Sequence, residues 1–275
     1  MGGVRKLEAA GSPALDDPPP AVTESEVLTV IVPVYNEATT VDACLGRILA
    51  APCRKQIIVV DDGSTDETPR ILEALHRQGK VILIRHSFNR GKGAAIRTAL
   101  SRARGRFTII QDADLEYDPQ DYPRLIEPLL SGRECVVYGS RYLRIEATRR
   151  RRWSWCRLGV CGLNLCVRLF YGVRITDEAT CYKAVPTTLL RAMNLECDRF
   201  EFCPEVTAKA CRLGLKILEV PIRYDARTVR QGKKIRWRDG MEALATLWRW
   251  RKWAPPHGAI AAARARAACE GSSRP

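Results

Sequence analysis

The sequence is poor in the residues from which transition-metal and redox sites are usually built. It contains three histidines (positions 76, 86 and 257), which lack metal-ligand spacing and have no partner for a nucleophilic triad; they are predicted to be structural. None of the eleven cysteines forms a CxxC pair, and Cys156, Cys161 and Cys166 recur every five residues, a spacing that fits neither a zinc ribbon nor a redox motif. The cysteines are therefore predicted to be reduced thiols, packed as small apolar groups in a cytosolic protein.

Long apolar runs are also missing. No stretch reaches the ~18–20 apolar residues that a membrane-spanning helix needs, and the nearest candidate, 158–173, is interrupted by Asn164 and Arg168. Residues 1–26 are rich in Ala, Pro, Gly and acids and lack the apolar core of a signal peptide, which predicts a disordered leader. These absences predict a protein that does not span a membrane by itself.

The net charge of +14 is concentrated in two segments. Residues 141–174 contain nine arginines and one acidic residue, and residues 223–252 contain ten basic and three acidic residues. The remainder of the chain is close to neutral. Such local excess predicts surfaces that meet an anionic partner.

Apolar runs alternate with helical patterns between residues 28 and 141. Strands are predicted at 28–35, 56–63, 80–86, 106–114 and 135–141, with a further short strand at 216–224. Repeated β-α-β units predict an α/β domain with a mostly parallel, nucleotide-binding sheet and flanking helices. The predicted domain covers 27–240, and a basic, Trp-rich helix with a frayed tail covers 241–275.

Acidic clusters follow three of these strands, where a parallel sheet collects its ligands. Asp112-Ala113-Asp114 directly follows a buried strand, and two carboxylates one residue apart can face one hard cation that also binds phosphate. A DxD alone occurs often by chance on turns. Its position after an apolar strand favours metal binding.

The other two clusters have plausible roles in nucleotide binding and in capping. Asp61-Asp62 precedes Gly63 and Ser64, where one acid is explained by a turn and the other could bind a base or ribose. Pro33 to Glu37 ends the first strand, where Tyr35 could stack on a base and Glu37 could hold ribose or cap a helix. The segment 89–93 (NRGKG) resembles a phosphate loop but lacks the P-loop pattern, and the absence of GxGxxG in the sheet region gives hydride chemistry no support.

Taken together, these segments resemble the family 2 glycosyltransferases of GT-A fold, in particular the dolichyl- and polyprenyl-phosphate mannosyl- and glucosyltransferases. The resemblance covers roughly residues 28–240 and rests on the order and spacing of VIVPVYNE, IIVVDDGSTDET, NRGKGAAIRTAL, QDADLEYDPQDYPRL, VVYGSRY, TCYKA, FEFCPEVTAK and GKKIRWRDG.

The resemblance implies an inverting transfer by direct displacement, with a nucleotide diphosphate sugar as donor and Mg²⁺ or Mn²⁺ as cofactor. Asp112 and Asp114, with Ala113 between them, would hold the metal and the donor diphosphate, with Glu116 as a further metal-proximal group. Arg141 would reach a donor or acceptor phosphate. The remaining residues implied to line or close over the nucleotide are Pro33, Tyr35, Asn36, Glu37, Asp61, Asp62, Arg227, Lys233 and Lys234. Nothing in the sequence separates GDP from UDP donors, or mannose from glucose.

The acceptor determines whether a general base is needed. A hydroxyl acceptor requires one, and Asp177 or Glu178 is then the candidate. A polyprenyl phosphate is already anionic and needs orientation and charge neutralisation, which the local arginine and lysine excess can supply.

Two segments have the composition of helices that lie on a membrane. Residues 149–173 begin with four arginines and two tryptophans and continue with leucine, valine and phenylalanine; Trp248, Trp250 and Trp253 lie among basic residues. Helices packed on the core are the alternative. We expect a protein peripheral to the cytoplasmic face of the membrane, held by an anionic surface or a membrane-protein partner.

Other functions compete with this one. The first is a soluble family 2 transferase acting on a polysaccharide or other hydroxyl acceptor. A nucleic-acid-binding protein is disfavoured, since the basic segments contain apolar runs and the three acidic clusters would be unexplained. A degenerate transferase acting as a scaffold is disfavoured by the intact acids.

Overall fold

The computed structural model describes residues 28–131, 135–143, 155–227, 237–255, 258 and 261. Within them, seven strands form one sheet in the order β3-β2-β1-β4-β6-β5-β7. The strands are β1 (Leu28–Val34), β2 (Lys55–Asp61), β3 (Ile82–Arg85), β4 (Phe107–Ile110), β5 (Cys135–Ser140), β6 (Lys183–Pro186) and β7 (Lys216–Pro221).

Eight helices of the described residues lie between and after these strands. They are α1 (Val41–Ala50), α2 (Thr68–Arg77), α3 (Lys92–Leu100), α4 (Tyr122–Leu130), α5 (Trp155–Tyr171), α6 (Thr187–Ala192), α7 (Phe202–Arg212) and α8 (Trp237–Trp250). A 3₁₀ turn at Pro119–Asp121 leads into α4. The predicted α/β class is confirmed.

The sheet is mostly parallel. β1 pairs in parallel with β2 on one side and with β4 on the other, and β2 pairs in parallel with β3. The carboxyl ends of these strands therefore share one edge of the sheet. The short strand β6 was not predicted, and it runs antiparallel between β4 and β5.

Two apolar clusters stabilise this arrangement. The larger surrounds the central strands, of which β1 and β4 are almost wholly buried. A smaller cluster joins α5, α7 and α8 and includes Leu163, Val167, Ala208, Leu247 and Trp250. The two helices predicted to be interfacial thus each bury one face against the domain.

No helix in the described part of the chain combines the length and apolar character needed to cross a bilayer. The predicted leader, residues 149–154 of the predicted interfacial segment, Lys233, Lys234 and most of the predicted tail lie outside the described residues.

Candidate active site

The acidic clusters that follow β1, β2 and β4 meet at the carboxyl edge of the sheet, as the sequence predicts. The turns after β1 and β2 are joined directly: the amide of Asn36 donates to the hydroxyl of Ser64 at 3.0 Å, and the amide of Thr65 donates to the side-chain oxygen of Asn36 at 2.8 Å. Asn36 has a φ of 50°, a left-handed conformation that asparagine tolerates well. Pro33 lies within β1, and Tyr35 beyond it is 38% exposed.

Asp62 anchors the loop that precedes α3. Its carboxylate accepts the backbone amides of Arg90 at 2.9 Å and Gly91 at 2.7 Å, and it lies 2.6 Å from Nδ1 of His86. Neighbouring Asp61 accepts the amide of Ser64 at 3.0 Å. Both acids are buried. Asp61 makes the turn contact that the sequence analysis allows for one acid, whereas the structural role of Asp62 in holding the loop before α3 was missed.

The anchored loop requires glycine at two positions because it passes close to another part of the backbone. Gly91 has a φ of +101°, and a β-carbon there would collide with the carbonyl oxygen of Asp198. A β-carbon on Gly93 would collide with the carbonyl oxygen of Cys197. These contacts fix the beginning of α3, and therefore the position of Lys92.

Lys92 is a site residue that the sequence analysis did not single out. Its ammonium lies 2.5 Å from a carboxylate oxygen of Asp112 and 3.3 Å from the sulfur of Cys181. Burial is the largest single influence on Lys92 and lowers its pKa, but the charge and hydrogen bond of Asp112, together with Cys181 and Cys203, outweigh burial and hold the pKa well above its ordinary value. The available signal was a lysine in a glycine-rich turn at the start of a predicted helix.

Asp114 lies in the most negative part of the site. Its carboxylate accepts the amide of Glu116 at 3.1 Å, in a turn where Leu115 has a φ of 64°. Burial, followed by the charges of Asp112 and Glu116, raises the pKa of Asp114 to about 7. The negative charges of Asp112, Asp114 and Glu116 are thus only partly neutralised by nearby basic groups, which favours the binding of a cation at this place. Ala113, between the two aspartates, is buried.

Arg227 connects the acidic clusters. Its Nε donates to the carbonyl oxygen of Asp114 at 2.5 Å, and its Nη1 lies 3.2 Å from a carboxylate oxygen of Glu37. Its backbone amide donates to Glu116 at 2.7 Å. The remaining guanidinium nitrogen is buried and has no hydrogen-bond partner among the described residues. The resemblance implied a role for Arg227 at the donor, and the structure places it at that edge.

The carboxylates of Asp112 and Asp114 suit a metal ion that takes its remaining ligands from the substrate and water. The described residues contain no group of three His, Cys, Asp or Glu side chains able to hold an ion. Glu116 instead accepts hydrogen bonds from the hydroxyl of Tyr224 at 2.5 Å and from Arg227. Asp112 and Asp114 remain, and Mg²⁺ commonly binds one or two carboxylates together with phosphate oxygens and water. The geometry gives Glu116 the role of holding the 224–227 segment.

Arg141 lies on the other side of Tyr224 and is held by Asp177. The guanidinium donates to both carboxylate oxygens of Asp177, at 2.7 and 2.6 Å, and the backbone amide of Arg141 donates at 2.9 Å. Asp177 is fully buried, and the guanidinium carbon lies 5.0 Å from the ring centre of Tyr224. A single aromatic ring therefore separates Arg141 from the acidic cluster.

The candidates for a general base are poorly placed to accept a proton from substrate. Both oxygens of Asp177 are occupied by Arg141, and Glu178 is 1% exposed with one oxygen accepting from Thr207 at 3.2 Å. Burial raises the pKa of Glu178. The structure thus gives Asp177 the role of orienting Arg141.

A buried polar group supports the turn that contains Asp112 and Asp114. The side-chain oxygen of Gln111 accepts the hydroxyls of Tyr122 at 2.8 Å and Tyr182 at 2.5 Å, and its nitrogen donates to the carbonyl oxygen of Asp112 at 2.9 Å. All three side chains are fully buried. The backbone from which both aspartates project is therefore held rigidly.

The fold and the acidic edge define a glycosyltransferase of the GT-A type. Among solved structures, the chain is similar to glucosyl-3-phosphoglycerate synthase from Mycobacterium tuberculosis in complex with Mn²⁺, UDP and glucosyl-3-phosphoglycerate, with a TM-score of 0.59 at 19% identity, covering 84% of this chain and 82% of that one. This likeness concerns the fold.

Sequence comparison then identifies the family. The model of glycosyl transferase family 2 matches residues 29–194, and the chain belongs to that family. It is 30% identical over 218 residues to polyprenol monophosphomannose synthase from Mycolicibacterium smegmatis, covering 76% of this chain and 81% of the relative. It is 34% identical over 200 residues to undecaprenyl-phosphate 4-deoxy-4-formamido-L-arabinose transferase from Pseudomonas fluorescens, covering 70% of this chain and 56% of that relative. The chain thus spans just over half the length of the second relative. The protein is an enzyme, and the nucleic-acid-binding alternative is set aside.

Proposed function

We propose that this enzyme transfers a hexose from a GDP- or UDP-sugar to a polyprenyl phosphate, with inversion at the anomeric carbon, as a peripheral protein on the cytoplasmic face of a membrane. Two relatives with names that specify a polyprenol or undecaprenyl-phosphate substrate support this acceptor class. The observation that carries the proposal is the position of Arg141, one aromatic ring away from the acidic cluster.

The donor would occupy the edge formed by the turns after β1, β2 and β4. Tyr35 is exposed there to stack on a base, and Asp112 and Asp114 are the residues that would hold Mg²⁺ or Mn²⁺. When bound, the metal would neutralise charge that develops on the leaving diphosphate. Arg227 and Lys92 bring two further positive charges to the same place.

The acceptor would approach from the side of Arg141. An acceptor phosphate oxygen is already anionic, so it attacks the anomeric carbon without giving up a proton. The new carbon–oxygen bond forms as the bond to the nucleoside diphosphate breaks, and the diphosphate leaves with the bonding electron pair. Arg141 neutralises and orients the acceptor phosphate, and Asp177 fixes the guanidinium through two hydrogen bonds.

The occupied state of Asp177 favours a phosphate acceptor over a hydroxyl acceptor. A hydroxyl would require a free base within hydrogen-bond reach, and the two carboxyl groups predicted for that task are committed to Arg141, Thr207 and the buried interior. The guanidinium of Arg141, which Asp177 holds in place, is instead suited to an anionic group.

A transfer assay tests the proposal. Radiolabelled GDP-mannose, UDP-glucose and related donors are incubated with a short-chain polyprenyl phosphate and either Mg²⁺, Mn²⁺ or EDTA. We expect an organic-extractable sugar-lipid product that depends on both the metal and the lipid phosphate. Asp114→Asn serves as the inactive control. Donor binding or hydrolysis without a lipid product would reject the acceptor, and soluble hydroxyl acceptors would then be tested.

A further inference from the structure

The helix α5 is apolar on both of its faces. Its inner face contributes Val160, Leu163 and Val167 to the domain, each at most 8% exposed. Its outer face carries Leu158 and Leu165, at 54% and 53% exposed. It also carries Leu169 (69% exposed) and the exposed Cys161. A contiguous row of exposed apolar side chains on a helix marks a surface that contacts protein or lipid.

The helix α8 extends this apolar surface. Met241, Leu244 and Trp248 follow one another at helical spacing and are 60%, 39% and 53% exposed. The rings of Phe170 on α5 and Trp248 on α8 are 5.4 Å apart, which joins the two stripes. We call this combined surface of Leu158, Leu165, Leu169, Met241, Leu244 and Trp248 the α5–α8 face.

Basic side chains border the α5–α8 face. Arg168 is exposed on α5 between Leu165 and Leu169, and the guanidinium of Arg251 stacks on Trp248 at 3.3 Å from its ring centre. Arg249 is exposed on α8 and lies 3.7 Å from a carboxylate oxygen of Glu196, and the acidic residues of α8 itself are Asp239 and Glu242. Leucine and tryptophan flanked by arginine are typical of a surface that enters the boundary between lipid head groups and acyl chains, with its cations on anionic head groups.

The α5–α8 face is attached to the part of the site that holds Arg141. Asn164 on α5 donates to the carbonyl oxygen of Thr176 at 2.8 Å and accepts the amide of Glu178 at 2.9 Å. Those two residues flank Asp177, the partner of Arg141. The guanidinium of Arg157, which directly precedes Leu158 in α5, lies 5.4 Å from the ring centre of Tyr142. A membrane against this face would therefore lie beside the acceptor end of the site.

We propose that the α5–α8 face is the surface on which the enzyme sits on an anionic lipid bilayer, so that a membrane-embedded acceptor meets Arg141. This inference rests on the proposed function, because it takes the acceptor to be a lipid in the bilayer. The binding of the bilayer itself rests on exposed apolar area and bordering charge, which are independent of the chemistry at Asp114.

Vesicle co-sedimentation of the full chain tests the surface. Wild type is compared with Leu165→Ser/Leu169→Ser and with Met241→Ser/Leu244→Ser, using vesicles of phosphatidylcholine with or without phosphatidylglycerol. We expect wild type to bind the anionic vesicles and each double variant to bind about tenfold more weakly or less. Phe88→Ser removes a 66% exposed ring outside the two helices and should leave vesicle binding unchanged.

Three results would overturn the proposal: no binding of wild type to anionic vesicles, unchanged binding of both double variants, or a change in oligomeric mass with no change in vesicle binding. The last would assign the face to a second copy of the chain. A water-soluble short-chain acceptor separates this inference from the proposed function. The double variants should retain transfer to this acceptor. If no lipid phosphate accepts sugar but vesicle binding still depends on the substituted side chains, the membrane surface is supported and the proposed acceptor is rejected.

Discussion

The ammonium of Lys92 lies 2.5 Å from a carboxylate oxygen of Asp112, at the start of a helix that Asp62 holds through the amide of Gly91. The ends of β2 and β4 are thus connected across the sheet edge by two consecutive residues of one turn. Lys92 therefore pairs with the first aspartate of the DxD and holds its carboxylate in one orientation.

Replacement of this lysine should impair catalysis without unfolding the protein. Lys92→Met keeps most of the side-chain volume but leaves Asp112 without its partner, and we expect sugar transfer to fall about 10- to 100-fold, as for other groups that orient metal ligands. Arg90→Met removes an exposed positive charge from the same loop and is the matched control. Equal transfer rates in the two variants would show that the ion pair is dispensable.

Asp114→Asn should abolish transfer and stabilise the metal-free protein. The pKa of Asp114 is raised to about 7 in the folded state, so between its unfolded value and pH 7 the folded protein binds more protons and loses stability as the pH rises. Removal of the charge should increase the free energy of unfolding by roughly 1–3 kcal/mol at pH 8, and by progressively less toward pH 4.

Thermal melts at these pH values, with and without Mn²⁺, measure both effects. Mn²⁺ should raise the Tm of wild type and leave that of Asp114→Asn unchanged. Asp118→Asn removes a nearby acid that pairs with Arg223 at 3.0 Å, and it should retain the response to metal. A metal-dependent increase in the Tm of Asp114→Asn would remove Asp114 from the metal site.

Substitution of Asp177 distinguishes a positioning role from a general-base role. In Asp177→Asn the guanidinium of Arg141 loses its charged bidentate partner, and we expect a higher KM for the acceptor and transfer lowered about 10- to 100-fold. The pH dependence of kcat should keep its shape. Asp225→Asn, an exposed acid beyond Tyr224, is the control, and loss of the acidic limb of the profile only in Asp177→Asn would identify Asp177 as the base.

A stability prediction concerns the pair Glu205 and Lys209 in α7. Their charged groups are 2.6 Å apart and fully buried, and the ammonium also lies 3.9 Å from the ring centre of Trp250. Lys209→Met leaves a buried carboxylate uncompensated and should cost about 3–5 kcal/mol of unfolding free energy in urea titrations. Adding Glu205→Gln should recover part of this loss, and a double variant no more stable than Lys209→Met would contradict the ion-pair explanation.

Much of the fold followed from hydrophobic patterning. The strands β1, β2, β4 and β5 are largely continuous apolar runs, and the rule that parallel strands present ligands at their carboxyl ends predicts that Asp61 and Asp112 share one edge of the sheet. By contrast, β6 has four residues and begins with a buried lysine, so its local pattern resembles a polar loop. Its position depends on pairing with strands distant in the chain.

The partners of the site residues could not be read from the sequence in the same way. The acids after the strands were recognisable because their types and positions are local features. Which basic side chain pairs with each carboxylate depends on the tertiary fold. Lys92 is 20 residues from Asp112 along the chain, and Arg227 is 190 residues from Glu37. Gln111 was missed for a related reason, since only its two tyrosine partners show that it supports the turn.

The reversed direction of β6 has a consequence for how this enzyme can diversify. An antiparallel strand begins where its parallel neighbours end, so the segment that enters β6, with Asp177 and Cys181, is delivered to the working edge of the sheet rather than to its back. Changes in the length or composition of residues 172–182 would therefore reshape the acceptor side directly, while the strands that carry Asp62 and Asp112 stay untouched. Under the proposed function, a single antiparallel strand thus separates the segment proposed to face the acceptor, which is open to change, from the strands proposed to hold the donor.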